Sequence, residues 1–378
     1  MLNTEEYTAI LQETDRFAAR TVAPLFEIAD RPPEPAALES VFQTAHSMGI
    51  LPAPGQTGFA LWELAEKQAG FQLHLSTLLS LARHNAATAL EMHLRSLAHS
   101  VLNSADEATD ALVTIALDGQ PGLGRYSLAK YLKGNPLDEN DEAILAQYFP
   151  GSAGLFHVQA FNVATILLPF WQGVDGLEWR LYARENLELS EIPSHGLNEL
   201  ARYRARLRAG SQPLCTIAAN AENAANFLRV LTLHEAALFA IQAGLAGHAW
   251  RKAKNYAFNR AQGGCLIKDH PAVQRLLLNC YAVWRSGEGL LRTLQCPGGL
   301  TELADTMAKR STLEPLLYSA VTDALQVFGG YGYMQDYGME KLLRDQNHLA
   351  RLGGSAGDLR LFLAALELAD AEDKEQQP

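Results

Sequence analysis

The feature that most constrains this chain is a helical hydrophobic period that begins near residue 220 and continues to about residue 370. Three long helices fit this part, over residues 223–259, 272–294 and 300–328. Pro271 suits the first position of the second helix, and Pro315 is expected to kink or divide the third. Helices of this length need each other to cover their apolar faces, so a helical bundle is predicted.

The earlier parts of the chain show different patterns. Residues 1–103 have apolar side chains at helical spacing, whereas residues 104–219 contain short β-prone runs separated by Gly, Pro, Asn and Asp. Helices that are segregated from strands predict an α+β fold rather than an alternating α/β fold. We therefore expect an N-terminal helical domain (1–103), a small middle β-rich domain (104–219) and a C-terminal four-helix bundle (220–378).

Composition excludes several classes of protein. The chain has 31 Lys+Arg and 42 Asp+Glu, a net charge of −11, which argues against nucleic acid as a partner. The apolar stretch at residues 163–171 is much shorter than the roughly 20 residues of a membrane helix. The start shows no signal-peptide pattern and the four cysteines are scattered, so a cytoplasmic protein is expected. The scattered histidines predict no metal site.

A glycine-rich run follows the third long helix. Gln326, Val327, Gly329 and Gly330 belong to a segment that continues to Arg344 and Asp345. By composition alone, these glycines fit a helix-ending turn as well as a close approach of a ligand to the backbone. The whole string, however, resembles the C-terminal signature of the acyl-CoA dehydrogenase superfamily. Residues 256–263 and 270–274 are similar to the same family, and residues 81–85 resemble it more weakly.

The resemblance implies a set of functional residues. In that family FAD is held between subunits of a dimer or tetramer, beside an acyl-CoA or related thioester. By resemblance, Arg260 pairs with the FAD diphosphate of a neighbouring subunit, for which a guanidinium is well suited. The other cofactor-binding candidates are Gln326, Val327, Gly329, Gly330 and Ser355. Electrons from the substrate would pass to an electron acceptor or to O2.

The chain departs from the family at the catalytic base. The usual glutamate position, counted from Arg344, falls on Gly353. Some family members carry their base 26 residues before the diphosphate arginine, which here is His234, followed by Glu235. His234 and Glu235 are therefore the catalytic candidates, since either group can act as a general base.

The departures leave alternatives open. The family's flavin-binding loop has no clear match, although residues 118–124 can offer backbone donors to a flavin or form a tight turn. The favoured function is an FAD-dependent oxidoreductase of the acyl-CoA dehydrogenase type acting on an acyl thioester. A flavin-dependent oxygenase or oxidase on the same scaffold is one alternative. A catalytically silent subunit of a hetero-oligomeric dehydrogenase is the other.

Overall fold

Helices form both ends of the chain and a β-rich part lies between them. The structure is a computed structural model that describes residues 4–26, 30–51, 67–103, 113–117, 121–220 and 222–368, together with Leu61 and Ala65. The N-terminal helices are α1 (Thr4–Phe17), α2 (Ala23–Phe26), α3 (Pro35–Ser47), α4 (Gln68–Ala82) and α5 (Ala86–Asn103), with a π-helical turn at Ala18–Val22. Helices α4 and α5 are buried over most of their length, so they are central to the core.

The middle part contains two small sheets. The strands are β1 (Val113–Ile115), β2 (Phe156–Ala160), β3 (Thr165–Trp171), β4 (Leu177–Ala183), β5 (Leu187–Glu191), β6 (Ala201–Leu207) and β7 (Cys215–Ile217). One sheet has the order β1-β3-β4-β7 and the other has the order β2-β6-β5. Apolar side chains of both sheets form a separate hydrophobic cluster that includes Phe156, Val158, Ile166 and Leu168.

Three helices also lie in this middle part, and the sequence analysis did not predict them. They are α6 (Pro121–Lys133), α7 (Glu139–Tyr148) and α8 (Pro150–Ala153). The expectation of a tight turn at residues 118–124 is wrong for its second half, because Gly122 and Gly124 belong to the first turn of α6. Asp118, Gly119 and Gln120 lie outside the described residues.

The C-terminal part is the predicted helical bundle. Its helices are α9 (Glu222–Asn259), α10 (Pro271–Leu291), α11 (Leu300–Val327), α12 (Met339–Leu349) and α13 (Ala356–Leu368). A short hairpin of β8 (Ala261–Gln262) and β9 (Cys265–Leu266) connects α9 to α10. Among the described residues, only α9 is long and apolar enough to cross a membrane, and its apolar window is wholly buried in the fold. Packing inside the protein therefore accounts for its composition.

Pro315 does not divide α11, contrary to the expectation from the sequence. The helix continues through it as one element. A proline has no N–H, so the carbonyl of Ser311 loses its usual partner one turn earlier. Nη2 of Arg360 on α13 donates to that carbonyl at 3.1 Å. A side chain from a neighbouring helix thus satisfies the group that the proline leaves free. The α+β fold is confirmed, and the division into three domains stays a prediction.

Candidate functional site

His234 lies in a buried histidine pair. Its Nδ1 atom is 3.0 Å from Nε2 of His93 on α5, and the two rings are stacked. Burial, together with the nearby charge of Arg310, lowers the pKa of His234 to about 3. Burial and the neighbouring His234 also lower the pKa of His93. Both rings are therefore neutral near pH 7, and His234 is a weak base in this environment.

Glu235 is held in a buried ion pair. Its Oε2 atom is 2.5 Å from Nη1 of Arg310, and both side chains are almost completely buried. Arg310 also donates to the carbonyl of Leu352 at 2.6 Å, and Glu314 lies 3.8 Å from its Nη2 atom. Burial raises the pKa of Glu235, and Arg310 opposes that shift. A carboxylate held this way is a structural partner of a guanidinium rather than a free base.

Gly353 lies directly against this ion pair. Its backbone has a φ of +68°, and a Cβ atom there would be 2.7 Å from Oε1 of Glu235 and 3.1 Å from Nη1 of Arg310. The space in which a side chain at this position would start is therefore occupied by the ion pair. The structure brings Gly353, His234 and Glu235 together, as the two alternative base positions require, but it leaves no room for a carboxylate at Gly353.

Two small gaps border these residues in the described part of the chain. A gap of about 30 Å³ is lined by residues of α5, β1, β2 and α9, including His157, Gln159 and His234. A second gap of about 20 Å³ is lined by residues that include His234, Glu235, Gly353, and Leu128 and Tyr148 from the middle-part helices. Pockets for organic ligands measure about 300–1,000 Å³. Each of these two gaps is therefore much smaller than the space that a flavin ring or an acyl chain needs.

The end of the bundle at Arg260 is exposed, unlike the buried surroundings of His234 and Glu235. Arg260 follows the last residue of α9, and its guanidinium lies over the ring of Tyr331 at 5.4 Å. The ring of Tyr256 stacks on Phe328 at 4.1 Å, which connects the end of α9 to the glycine-rich segment. Arg260 is exposed, and no carboxylate lies within ion-pair distance of it in the described part of the chain.

The other predicted cofactor residues divide into two groups. Gln326 and Gly330 are exposed beside the Arg260 end, and open space surrounds the position of a Cβ on Gly330. Val327 is buried in the main hydrophobic core. Ser355 lies elsewhere, at the start of α13, where its Oγ is 2.6 Å from Oδ2 of Asp358. Ser355 therefore caps a helix next to Gly353 and does not join the Arg260 group.

The sequence analysis missed several residues of the candidate site. His93 and Arg310 are the buried partners of His234 and Glu235, and they lie on other helices. His157 and Gln159 face the first gap from β2. The alternation of Phe156 and Val158 with these polar residues was a usable signal, because strand residues point alternately to opposite faces. The described residues contain no group of three or more His, Cys, Asp or Glu side chains able to hold a metal ion.

Comparisons with known proteins agree with this architecture. Residues 225–366 match the family model of the acyl-CoA dehydrogenase C-terminal domain. Cyclohexane-1-carbonyl-CoA dehydrogenase of Syntrophus aciditrophicus is 28% identical over 134 residues, which cover 35% of this chain and 34% of that protein. The sequence similarity therefore spans about a third of the length of this curated relative.

Solved structures extend the similarity to the whole fold. The glutaryl-coenzyme A dehydrogenase–glutaryl-CoA complex has a TM-score of 0.71 at 13% identity, covering 98% of this chain and 96% of that one. An active-site mutant of nitroalkane oxidase has a TM-score of 0.69 at 14% identity, covering 98% and 96%. Together the bundle and its sheets define an acyl-CoA dehydrogenase-type fold. In sequence, residues 225–366 match the acyl-CoA dehydrogenase C-terminal domain family.

Proposed function

We propose that this chain is a subunit of an FAD-dependent oxidoreductase that acts on an acyl-CoA or a related thioester. Within the oligomer, this chain completes a flavin site and does not itself abstract the α-proton. One observation carries the second part: Gly353 replaces the family's carboxylate, and the Glu235–Arg310 ion pair fills the space beside it. The silent-subunit alternative therefore fits the geometry better than a chain with its own base.

The chain's residues fit the two halves of FAD unequally. The exposed guanidinium of Arg260 and the open backbone at Gly330 suit a diphosphate and the adenosine half. Gln326 lies beside them at the surface. When bound, FAD supplies a two-electron acceptor for the substrate. The gaps of about 30 and 20 Å³ near His234 do not suit the flavin ring, which in this proposal lies mainly against a partner chain.

Assembly follows from where this proposal places the two halves of FAD. Arg260 of this chain holds the diphosphate and the flavin ring lies mainly against a partner chain, so one site needs two subunits. The proposal therefore requires a dimer or a tetramer that includes a different chain. Exposed apolar side chains on α10 and α11, such as Leu278 and Leu316, offer surface for that contact.

The proposal also covers the substrate class, the compartment and the electron acceptor. The relative from Syntrophus aciditrophicus is a CoA-thioester dehydrogenase by name, which supports an acyl-CoA or related thioester as substrate. The assembly would work in the cytoplasm and pass electrons to an acceptor or to O2. In this proposal Arg260 orients the cofactor's diphosphate.

A second candidate is an oxidase on the same scaffold. In the oxygenase form of this candidate, reduced flavin reacts with O2 and no α-proton base is needed, which agrees with the absence of a carboxylate at Gly353. Its fold has a solved counterpart in nitroalkane oxidase. The close packing beside His234 counts equally against this candidate and against a dehydrogenase, because both need room for a flavin ring and a substrate.

The test is the visible absorption spectrum of the purified chain, alone and after co-expression with a second family member from the same genome. The proposal predicts little or no flavin on the chain alone and bound flavin in the complex. Adding CoA thioesters without oxygen should bleach flavin only in the complex. A chain that purifies alone with one flavin per copy, and whose flavin a thioester bleaches, would contradict the silent-subunit role.

A further inference from the structure

A row of four arginines lies on one face of the sheet β2-β6-β5. Arg202, Arg204, Arg206 and Arg208 alternate along and just beyond β6, the central strand of this sheet. The intervening side chains pack into the hydrophobic cluster between the sheets: Tyr203, Ala205 and Leu207. Residues two apart on a strand are about 6.7 Å apart, so four guanidinium groups share one outer surface. We call these four residues the arginine face.

The arginine face has no carboxylate partner in the described part of the chain. Neither ion pairs nor side-chain hydrogen bonds join these four arginines to the described residues. Glu188 is opposite Arg206 in the strand register, yet no ion pair connects them. Like charges that are neighbours on a sheet repel each other. The chain has a net charge of −11, so an excess of positive charge over the whole surface does not explain this cluster of four arginines.

One end of the arginine face lies next to the candidate site. In the strand register Arg204 pairs with His157, and Arg202 pairs with Gln159. His157 and Gln159 line the small gap that also contains His234. A ligand that lies along the arginine face therefore has one end beside the residues that the sequence analysis connected with the reaction.

A concave site adjoins the same face. A cavity of about 530 Å³ is lined by two arginines and two carboxylates, Arg31, Arg202, Asp30 and Glu191, together with small polar and apolar residues. This volume lies in the range of about 300–1,000 Å³ typical of small-molecule sites. Oδ1 of Asn198 is buried and has no hydrogen-bond partner among the described residues. Asp30 and Glu191 balance the charges of Arg31 and Arg202 there, so the cavity adjoins the arginine face but does not extend its positive charge.

We propose that the arginine face binds the diphosphate of a nucleotide-linked ligand, at a place separate from Arg260. The inference rests on the proposed function, since FAD and CoA thioesters both carry a nucleoside diphosphate. Planar guanidinium groups bind phosphate oxygens in a bidentate manner, and neighbouring arginines can hold one diphosphate from two sides. Arg204 and Arg206 are the central pair, and Arg202 and Arg208 flank them.

The test measures binding rather than turnover. The full chain is titrated calorimetrically with ADP, CoA and FAD as wild type, as Arg204→Ala/Arg206→Ala, and as Arg204→Lys/Arg206→Lys. The Arg292→Ala variant is the matched control, because Arg292 is an exposed arginine on another part of the fold. ADP probes the diphosphate alone, whereas CoA and FAD separate the two sources of the same chemistry.

The alanine pair should weaken ADP binding about tenfold or more, since two charge-assisted contacts are lost. The ligand, CoA or FAD, whose affinity falls in parallel is the natural source, and the lysine pair should restore only part of it. The proposal is overturned if wild type does not bind ADP, or if the alanine pair binds all three ligands as wild type does. A loss of ADP affinity in a chain that never acquires flavin would refute the proposed function and leave this site standing.

Discussion

Gly353 and Glu235 are in such close contact that a Cβ atom on Gly353 would lie 2.7 Å from Oε1 of Glu235. The two residues are far apart in the chain. By the family resemblance, Gly353 falls at the usual base position, and Glu235 directly follows His234, the alternative base position. Gly353 has no side chain, and Glu235 is paired with Arg310. The core around Gly353 is therefore closely packed, and Arg310 balances the charge of Glu235.

The first prediction concerns Gly353. Gly353→Ala should destabilise the fold by about 1–3 kcal/mol, because the new methyl overlaps the ion pair and the backbone has a positive φ. Gly330→Ala is the control, since open space surrounds that position. Urea unfolding of both variants decides the matter. Equal midpoints for the two variants would show that the contact at Gly353 has no energetic weight.

The second prediction concerns Arg310. Arg310→Met leaves Glu235 and Glu314 buried without their cation, which should cost about 3–5 kcal/mol at neutral pH. The double variant Arg310→Met/Glu235→Leu should recover part of that loss. Both carboxyl groups already have raised pKa values through burial. A raised folded pKa makes the native state bind more protons, so the loss should shrink at about pH 5.

An unchanged loss at both pH values would mean that these carboxyl groups escape to water in the variant. Denaturant unfolding at the two pH values, on the single and double variants, provides the comparison.

The third prediction concerns pH dependence at His234. Its pKa falls from 6.5 to about 3 on burial, so the unfolded state binds more protons below pH 6.5. Stability should therefore decrease as the pH falls from 6.5, by about 1.4 kcal/mol per pH unit for this group. His93 adds to the same trend. His234→Gln should reduce the slope, and an identical slope in wild type and variant would place the titration elsewhere.

The fourth prediction concerns Arg260. If its guanidinium pairs with the FAD diphosphate, Arg260→Ala should lower flavin affinity by about 1.5–3 kcal/mol, or roughly 10- to 150-fold. The flavin content of the purified complex, measured against added FAD, is the observable. Arg275→Ala, another exposed arginine, should retain wild-type affinity. Full flavin occupancy with unchanged affinity in Arg260→Ala would show that the residue does not hold the cofactor.

The bundle was largely predictable and its internal contacts were not. The long helix at Glu222–Asn259 begins within one residue of the expected start, because an unbroken apolar period defines it. The effect of Pro315 was not predictable, since the compensating donor, Arg360, comes from a different helix. The resemblance expected from the motifs at Arg260 and Gly329 is confirmed for residues 225–366, which match the acyl-CoA dehydrogenase C-terminal domain family.

The middle part was harder for a physical reason. Strand β6 was missed because its outer positions are arginines such as Arg204 and Arg206, which hide the inward alternation of small and apolar residues. Helix α6 was missed because its first turn contains Gly122 and Gly124, residues that usually mark turns. The sequence predicted His234 and Glu235 as candidate catalytic residues. It did not predict their partners, His93 and Arg310, because these lie on other helices and no local sequence pattern connects them.

The most direct test of the central claim is rapid-mixing anaerobic reduction of flavin in the assembled complex by its thioester substrate. The complexes compared contain this chain as wild type, as His234→Ala or as Glu235→Gln, each with its flavin content checked first. Since neither residue is a base in this account, all three complexes should reduce flavin at the same rate. A fall of about 10²–10⁴-fold in either variant, the range expected for loss of a general base, would contradict it.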